Sequence, residues 1–144
     1  MPRALLDTTA LFAAAYRRDG SHDAALPILD GIDGSELPEA VVLDYVLAET
    51  LNGLTTHAGH AAAVDFLDRI EGNARFRTDS LTADSFATAK SLFRRYERFS
   101  LVDAPLVAYM QAEGLDYLYA FDDDFDAAPG ITRLDTADDP YGPD

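Results

Sequence analysis

Four acidic residues in this chain have the type and the spacing of a metal-binding site. They are widely separated in the sequence, and each lies beside an apolar segment typical of a strand or a helix: Asp7, Glu49, Asp103 and Asp122. Carboxylates that meet in space repel one another unless positive charge lies between them. Because hard oxygen ligands suit Mg²⁺ or Mn²⁺, the four residues predict a pocket for one of these ions.

The elements that must bring these carboxylates together alternate along the chain. Short apolar runs predict strands at 3–6, 36–42, 74–78, 115–121 and 131–134. Helical spacing of apolar residues predicts helices at 10–17, 21–29, 43–57, 61–70, 82–99 and 104–113. This alternation predicts an α/β fold, an α/β/α sandwich around a central, mostly parallel sheet.

Two of the four acidic residues directly follow predicted strands. Asp7 ends the first strand and Asp122 ends the fourth. In a parallel sheet, ligands bind beyond the carboxyl ends of the strands. Asp103, at a predicted helix start, could project toward the same edge, and Glu49 could reach that edge from its helix. We therefore expect the four side chains to converge.

Short segments around these residues form an ordered pattern: LLDTTAL (5–11), AETLNGL (48–54), LVDA (101–104) and FDDDF (121–125). With this pattern the chain resembles the PIN-domain ribonucleases, especially the small toxins of VapBC toxin–antitoxin pairs. The resemblance extends from residue 4 to residue 134, and four segments in order are a fairly specific signal. The chain departs from the family at Ala120, where a threonine or serine is usual two positions before the last aspartate.

The resemblance implies a PIN-like nuclease domain over residues 1–135 whose metal ligands, direct or through water, are Asp7, Glu49, Asp103 and Asp122. It implies that one or two Mg²⁺ or Mn²⁺ ions activate water for cleavage of RNA phosphodiesters. Three polar residues are expected to assist these ligands: Thr8, Thr9 and Asn52. A cognate antitoxin and a homodimer are also implied. The acidic, Pro- and Gly-containing tail, residues 136–144, is predicted to be disordered.

Other interpretations of these residues stay open. Any single carboxylate in so acidic a chain can be a surface residue, and Asp103 could serve as a helix N-cap. Asp124 is the substitute for Asp122 as fourth ligand. The chain could also be an inactive PIN-like binding or scaffold module, for which Ala120 is the only hint, or an RNA-processing nuclease outside a toxin–antitoxin system.

The arginines and histidines are expected to have structural or surface roles rather than a role in the site. Three arginines alternate with aromatic residues in the longest predicted helix: Arg94, Arg95 and Arg98. They could bind RNA phosphate, but we favour a helix surface paired with nearby acids. The three histidines lack metal-ligand spacing and are expected at the surface.

Two other aspartate-based sites fit this sequence less well. A hydrolase of the haloacid dehalogenase type needs a second aspartate where Thr9 stands. A phosphoacceptor receiver domain needs a lysine late in the sheet, whereas Lys90 lies in a predicted helix.

Composition limits the remaining possibilities. The 144 residues are 48% hydrophobic and fit one domain, and the absence of cysteine excludes disulfides and thiolate metal sites. The sequence shows no signal peptide or membrane span, so a cytosolic location is expected. Twenty-six acidic residues against 11 Lys plus Arg give a net charge of −15. Since concentrated salt screens such repulsion, we hypothesise a halophilic host.

Overall fold

A parallel β-sheet forms the centre of the fold in the computed structural model, which describes residues 2–142. Within that range the strands are β1 (Arg3–Leu6), β2 (Glu39–Leu43), β3 (Phe76–Asp79), β4 (Tyr117–Tyr119) and β5 (Thr132–Leu134). Their order across the sheet is β3-β2-β1-β4-β5, and every neighbouring pair is parallel. The predicted α/β class with a parallel sheet is therefore confirmed.

Helices connect the strands and cover the sheet. They are α1 (Thr8–Ala15), α2 (His22–Asp33), α3 (Asp44–Ala58), α4 (His60–Glu71), α5 (Ala83–Arg95) and α6 (Asp103–Glu113). α1 packs against α2 and α3, and α5 packs against α6. Because βαβ crossovers are right-handed, α1 to α4 lie on one face of the sheet and α5 with α6 on the other. Of the helices in residues 2–142, none is long and apolar enough to cross a membrane.

The direction of strand addition reverses at β1. Leu5 of β1 pairs with Val41 of β2 on one side and with Leu118 of β4 on the other. The crevice beyond the carboxyl ends of strands at such a reversal is the usual ligand site of an open α/β sheet. Asp7 and Asp122 lie one and three residues beyond the ends of β1 and β4, respectively. The topology thus brings both aspartates to the same crevice.

The core lies on both faces of the central strands. Leu5, Val41 and Leu118 are all 0% exposed, and residues 104–110 of α6 are buried without interruption. Strands that are covered on both faces become continuous apolar runs rather than alternating patterns. This burial holds the strand ends, and the residues that follow them, in fixed positions.

Several predicted boundaries differ from the structure because hydrogen-bonding groups at the ends of elements set them. α1 begins at Thr8 rather than residue 10, since the Asp7 side chain caps it. α5 ends at Arg95 rather than residue 99, because Tyr96 has an extended backbone conformation. The strand predicted at 115–121 is shorter, and a 3₁₀ helix not predicted from the sequence, Asp123–Ala127, follows it.

The segment after β5 contacts the sheet. The Tyr141 hydroxyl donates to the carbonyl of Arg3 at 3.0 Å, and its ring meets Tyr117 edge-on at 5.0 Å. The Tyr119 hydroxyl donates to the carbonyl of Asp138 at 2.8 Å. Disorder is predicted from sequence for 136–144, whereas residues 136–142 make these contacts; residues 143 and 144 lie outside the described range. The domain boundary at 135 stays a prediction.

Candidate active site

A cavity of about 710 Å³ opens at the carboxyl edge of the sheet, beyond β1 and β4. Its walls come from the β1–α1 junction, α3, the loop before α6 and the segment after β4. Six acidic side chains line it: Asp7, Asp19, Glu49, Asp103, Asp122 and Asp124. All four residues proposed from sequence as metal ligands therefore line one cavity, while their roles stay predictions.

Asp7 is the most deeply buried of these carboxylates, with 3% of its surface exposed. It accepts a hydrogen bond from the Ala10 amide at 2.9 Å and from the Thr9 hydroxyl at 2.7 and 2.8 Å. The Thr9 oxygen also accepts from the Phe121 amide at 2.9 Å, which joins the ends of β1 and β4. Burial, opposed by these bonds and reinforced by nearby carboxylates, raises the pKa of Asp7 from 3.8 to about 7.

Three half-buried carboxylates converge beside Asp7. Oxygen atoms of Asp103, Asp122 and Asp124 all lie within 4.8 Å of one another. The Asp122 side chain caps the 3₁₀ helix by accepting from the Asp124 amide at 2.9 Å. Burial, followed by the charge of Asp122, raises the pKa of Asp103. Sequence reasoning treated Asp124 as a substitute for Asp122, whereas the structure places both in the cluster.

Two residues of α3, Glu49 and Asn52, were singled out from the sequence, and only Glu49 lines the cavity. Glu49 is exposed and lines the cavity, but it is not part of the three-carboxylate cluster. Asn52 is exposed and does not line the cavity, although it lies three residues further along the same helix. Asn52 is offset from Glu49 by about 60° around the helix axis, because three residues turn the helix through roughly 300°, and it lies outside the cavity.

Arg98 is the only basic residue among those that line this cavity. Its Nε donates to Asp124 at 3.0 Å and its Nη2 donates to Asp123 at 3.3 Å. The pairing agrees with the interpretation of this arginine as part of a helix surface facing nearby acids. It also means that Asp124 has a positive partner, whereas no ion pair of the described residues involves Asp103 or Asp122.

The loop before α6 fixes Asp103. The Ser100 hydroxyl accepts from the Asp103 amide at 3.0 Å, and the Asp103 carboxylate accepts from the Ser100 amide at 3.5 Å. This reciprocal pair resembles a capping box in the turn before α6. The N-cap of α6 is Val102 and Asp103 is the first residue of the helix, so Asp103 does not have the N-cap role considered for it. The Tyr45 hydroxyl donates to the carbonyl of Val102 at 2.8 Å. Burial and the nearby carboxylates raise the pKa of Tyr45, which keeps this donor protonated.

The donor set fits a hydrated divalent cation. Three carboxylates at close range, two of them without a basic partner, need positive charge between them. The Thr8 hydroxyl oxygen is buried at the cavity wall, where it has no hydrogen-bond partner. A buried hydroxyl without a partner is costly unless a water, an ion or a ligand satisfies it.

Several residues that line this cavity were not singled out from the sequence, among them Phe12, Ser100 and Asp19. The Ser-x-x-Asp spacing before an apolar helix is a capping signature and could have identified Ser100. Phe12 lies four residues after Thr8 and so shares its helix face, but nothing in the sequence distinguishes it from a core residue. Asp19 had no signal beyond its acidity. Ala120 is fully buried, so it presents no side chain to solvent.

Comparison with known proteins matches the chain to a protein family. A family model described as PIN domain matches residues 4–131. The chain is 34% identical over 125 residues to a protein named 23S rRNA-specific endonuclease VapC20, from Mycobacterium tuberculosis. That alignment covers 85% of this chain and 92% of the relative.

Solved structures agree with the fold. The crystal structure of Mycobacterium tuberculosis VapC20, described as a sarcin-ricin loop cleaving toxin, matches with a TM-score of 0.76 and 30% identity. The match covers 88% of this chain and 95% of that one. VapBC2 from Rickettsia felis, solved bound to a DNA fragment from its promoter, matches with a TM-score of 0.69 at 16% identity. The match covers 92% of this chain and 97% of that one, and shows the shared fold.

Proposed function

The chain belongs to the PIN-domain family, and from that membership we propose that it is a metal-dependent endoribonuclease, the toxin of a toxin–antitoxin pair. The observation that carries the proposal is the convergence of Asp103, Asp122 and Asp124 beside buried Asp7 in one open cavity. The name of the VapC20 relative, a 23S rRNA-specific endonuclease, supports RNA as the substrate class.

We propose Mg²⁺ or Mn²⁺ as the cofactor, because the available donors are carboxylate oxygens. Asp103 and Asp122 are the central ligands in this proposal, with Asp7 and Glu49 completing the site directly or through water. When bound, the cation supplies positive charge against the phosphodiester and lowers the pKa of a water molecule. The acidic cavity would otherwise repel RNA, so the cation is also needed for substrate approach.

The chain's own residues fix the geometry around that ion. Thr9 and the Ala10 amide hold the Asp7 carboxylate against rotation, while the Ser100 hydroxyl and amide hold the backbone and side chain of Asp103. The unpartnered Thr8 hydroxyl is placed to donate to a water or a phosphate oxygen. In the proposed reaction a water oxygen bonds to phosphorus as the bond to the 3′ oxygen breaks. The products are a 5′ phosphate and a 3′ hydroxyl.

An RNA cleavage assay tests this function. The purified chain is incubated with an RNA hairpin carrying the sarcin–ricin loop and with total ribosomal RNA, in Mg²⁺, in Mn²⁺ and in EDTA. We expect cleavage with either metal, none with EDTA, and none with Asp7→Asn. Asp30→Asn is the matched control, because Asp30 is an exposed aspartate paired with Arg69. Cleavage that resists EDTA, or that survives in Asp7→Asn, contradicts the mechanism.

The second candidate is an inactive PIN-like module, which Ala120 favours because the usual hydroxyl is missing there. Thr8 and Thr9 still supply hydroxyls at the cavity wall, and this supports activity. A native chain that binds RNA but does not cleave it with any divalent metal would favour the module. A processing nuclease outside a toxin–antitoxin system would cleave RNA without slowing growth when expressed.

We propose two protein partners as well. Solved VapBC structures among the matches support an antitoxin, whose basic segment would be attracted to the acidic cavity.

A second copy of this chain is the other proposed partner. An apolar groove of about 510 Å³ lies between α3, α5 and α6, and it exposes Phe86 and Leu101 to 41% and 40%. Light scattering of native protein and Phe86→Glu tests the dimer; a native monomer contradicts it.

We also propose that the protein works in concentrated salt. The net charge of −15 on 144 residues creates repulsion that falls as the Debye length shrinks to about 3 Å at 1 M salt. Urea unfolding in 0.1 and 2 M KCl measures the effect, and we expect a higher midpoint in 2 M KCl. Full stability in dilute buffer, with no change on adding KCl, contradicts it.

A further inference from the structure

Two rows of residues lead from the carboxylate cavity to a group of aromatic rings. Residues four apart lie on the same face of a helix, and each helix contributes one row. On α1 and at its C-cap the row is Thr8, Phe12 and Tyr16; on α3 it is Glu49, Gly53 and His57. The two helices pack together, so the rows run side by side away from the cavity. From Thr8 to Tyr16 the rise is roughly 12 Å.

The three rings at the end of these rows contact one another; we refer to Phe12, Tyr16 and His57 as the aromatic cluster. Phe12 lies 5.3 Å from Tyr16 and 5.8 Å from His57 between ring centroids, and Tyr16 lies 5.7 Å from His57. Phe12 lines the carboxylate cavity itself. Phe12 and Tyr16 are half-buried and His57 is exposed. The cluster is therefore continuous with the cavity at one end and open to solvent at the other.

Gly53 makes room for this arrangement. A Cβ atom at position 53 would lie 3.2 and 3.3 Å from two carbons of the Phe12 ring, closer than ordinary van der Waals contact. The absence of a side chain there lets the Phe12 ring approach the backbone of α3 closely. The position of Phe12 thus depends on both helices.

The charge near the cluster favours a polyanion. Arg17 and Arg18 directly follow Tyr16 and are exposed. In residues 2–142 neither arginine takes part in an ion pair, whereas Arg69, Arg98 and Arg133 are all paired with aspartates. Arg94 and Arg95 are likewise adjacent and outside the ion pairs of the described residues, but Arg17 and Arg18 are the pair that directly follows Tyr16 of the aromatic cluster.

We propose that the aromatic cluster is a stacking platform for a nucleobase of single-stranded RNA, next to the phosphate that is cleaved. The inference rests on the proposed function and deepens it, because it assigns an unpaired, accessible base to the substrate at this side of the cut. Stacking on aromatic rings is how proteins hold unpaired bases, and arginines beside such rings hold the backbone. A cluster with only a structural role would not need to open beside the cavity or beside Arg17 and Arg18.

Binding of a single-stranded 12-nucleotide RNA, measured by fluorescence anisotropy with Mg²⁺ present, tests the platform. All variants are made in the Asp7→Asn background, so that the probe is not cut. We expect Tyr16→Ala and His57→Ala each to raise Kd roughly 5- to 100-fold, the range of losing one base stack. Tyr16→Phe and His57→Phe keep a ring and are expected to bind within about twofold of the parent.

Two matched controls separate stacking from general damage. His60→Ala removes an exposed imidazole three residues from His57, and Phe93→Ala removes an aromatic ring that is 48% exposed on α5. Neither belongs to the cluster or the cavity, and we expect both to bind RNA as the parent does. His57→Ala affects an exposed side chain, so a folding failure of Tyr16→Ala would leave the test intact.

A base-deletion series gives the decisive comparison. Abasic sites are placed one at a time along the 12-mer, and one of them is expected to weaken binding to the parent by the same factor as His57→Ala. In His57→Ala that same abasic site should cost nothing further, because the two changes remove one interaction. Additive losses, or unchanged Kd in both alanine variants, overturn the platform.

The same series separates this inference from the function on which it rests. If the native chain cleaves RNA, while Tyr16→Ala and His57→Ala leave binding unchanged in the Asp7→Asn background and leave cleavage unchanged in the native background, only the platform is wrong. If these variants instead lose a protein partner and keep RNA affinity, the assignment to RNA is overturned. If the native chain neither binds nor cleaves RNA, both proposals fail.

Discussion

Two groups of carboxylates in the described part of the chain have opposite surroundings. On α2, Asp30 and Asp33 face Arg69 of α4, which donates to them at 3.0 and 2.5 Å, and Asn73 donates to Asp33 at 3.0 Å. At the cavity, Asp103 and Asp122 have no basic partner among the described residues, although the cluster oxygens lie within 4.8 Å. One group is neutralised within the chain and the other is not.

This difference shows what each group does for the fold. An aspartate beside an arginine has its charge satisfied, as with Asp126, whose pKa is lowered by its hydrogen bonds from Arg133. An aspartate buried beside other carboxylates is destabilising when charged, and burial raises the pKa of Asp7 to about 7. The proposed cation would offset this cost at the edge of the sheet.

The largest expected effect in this comparison comes from removing the charge of Asp122, measured beside the same change at Asp124. We expect Asp122→Asn to lower RNA cleavage by on the order of 10²-fold or more, the scale of losing one electrostatic stabiliser at a reaction centre. Asp124→Asn should cost about tenfold or less, because Arg98 already neutralises that carboxylate. Initial rates at saturating Mg²⁺ measure both, with Asp33→Asn as the control. A larger loss in Asp124→Asn than in Asp122→Asn would reverse this assignment.

Metal binding should stabilise the fold through one group of carboxylates only. A ligand at 100 times its Kd adds about 2.7 kcal/mol to the free energy of unfolding. For a chain of this length that corresponds to a rise in Tm of roughly 10 °C on adding Mg²⁺. We expect the shift in native protein and Asp33→Asn but not in Asp103→Asn, measured by thermal unfolding with and without EDTA. An equal shift in all three proteins would place the ion elsewhere.

The pH dependence of stability should carry the sign of a buried acid. Without metal, native Asp7 keeps its proton up to about pH 7, whereas the unfolded chain releases it near pH 4. The native state then binds more protons in this window, so the free energy of unfolding falls as pH rises from about 4 to about 7. We expect this loss, on the order of a few kcal/mol, to be absent in Asp7→Asn. Urea unfolding in EDTA at several pH values measures it; parallel profiles contradict the assignment.

The fold could be predicted from local signals in the sequence, whereas the site could be predicted only in part. Apolar runs and helical spacing predict each strand and helix, because burial on both faces of the sheet and on one side of each helix leaves a periodic pattern. The strand-end positions of Asp7 and Asp122 predict one shared edge. The Thr9 contact with Phe121 across 112 residues could not be predicted, because no local pattern records which strand ends become neighbours.

Asp124 and Arg98 illustrate the part of the site that could not be predicted from the sequence. Three consecutive aspartates follow β4, and only the 3₁₀ helix decides which of them face the cavity. Arg98 reaches Asp124 across 26 positions, from the turn after α5. Short 3₁₀ turns carry weak sequence signals, and a pairing between two loops depends on the positions of whole helices. The choice between Asp122 and Asp124 therefore stayed open in the sequence.

The smallest effect is expected at the neutralised group, where Arg69→Gln leaves Asp30 and Asp33 without their cation. Arg69 is 35% exposed and the aspartates are 62% and 30% exposed, so water and salt already screen their interaction. We expect a loss of about 1 kcal/mol in the free energy of unfolding, a Tm lower by roughly 4 °C, and unchanged RNA cleavage. Adding Asp33→Asn to Arg69→Gln should restore part of this loss, because the second change removes a repelled charge. If Arg69→Gln instead lowered cleavage tenfold, the two groups of carboxylates would be coupled, and the division between a structural and a chemical group would not hold.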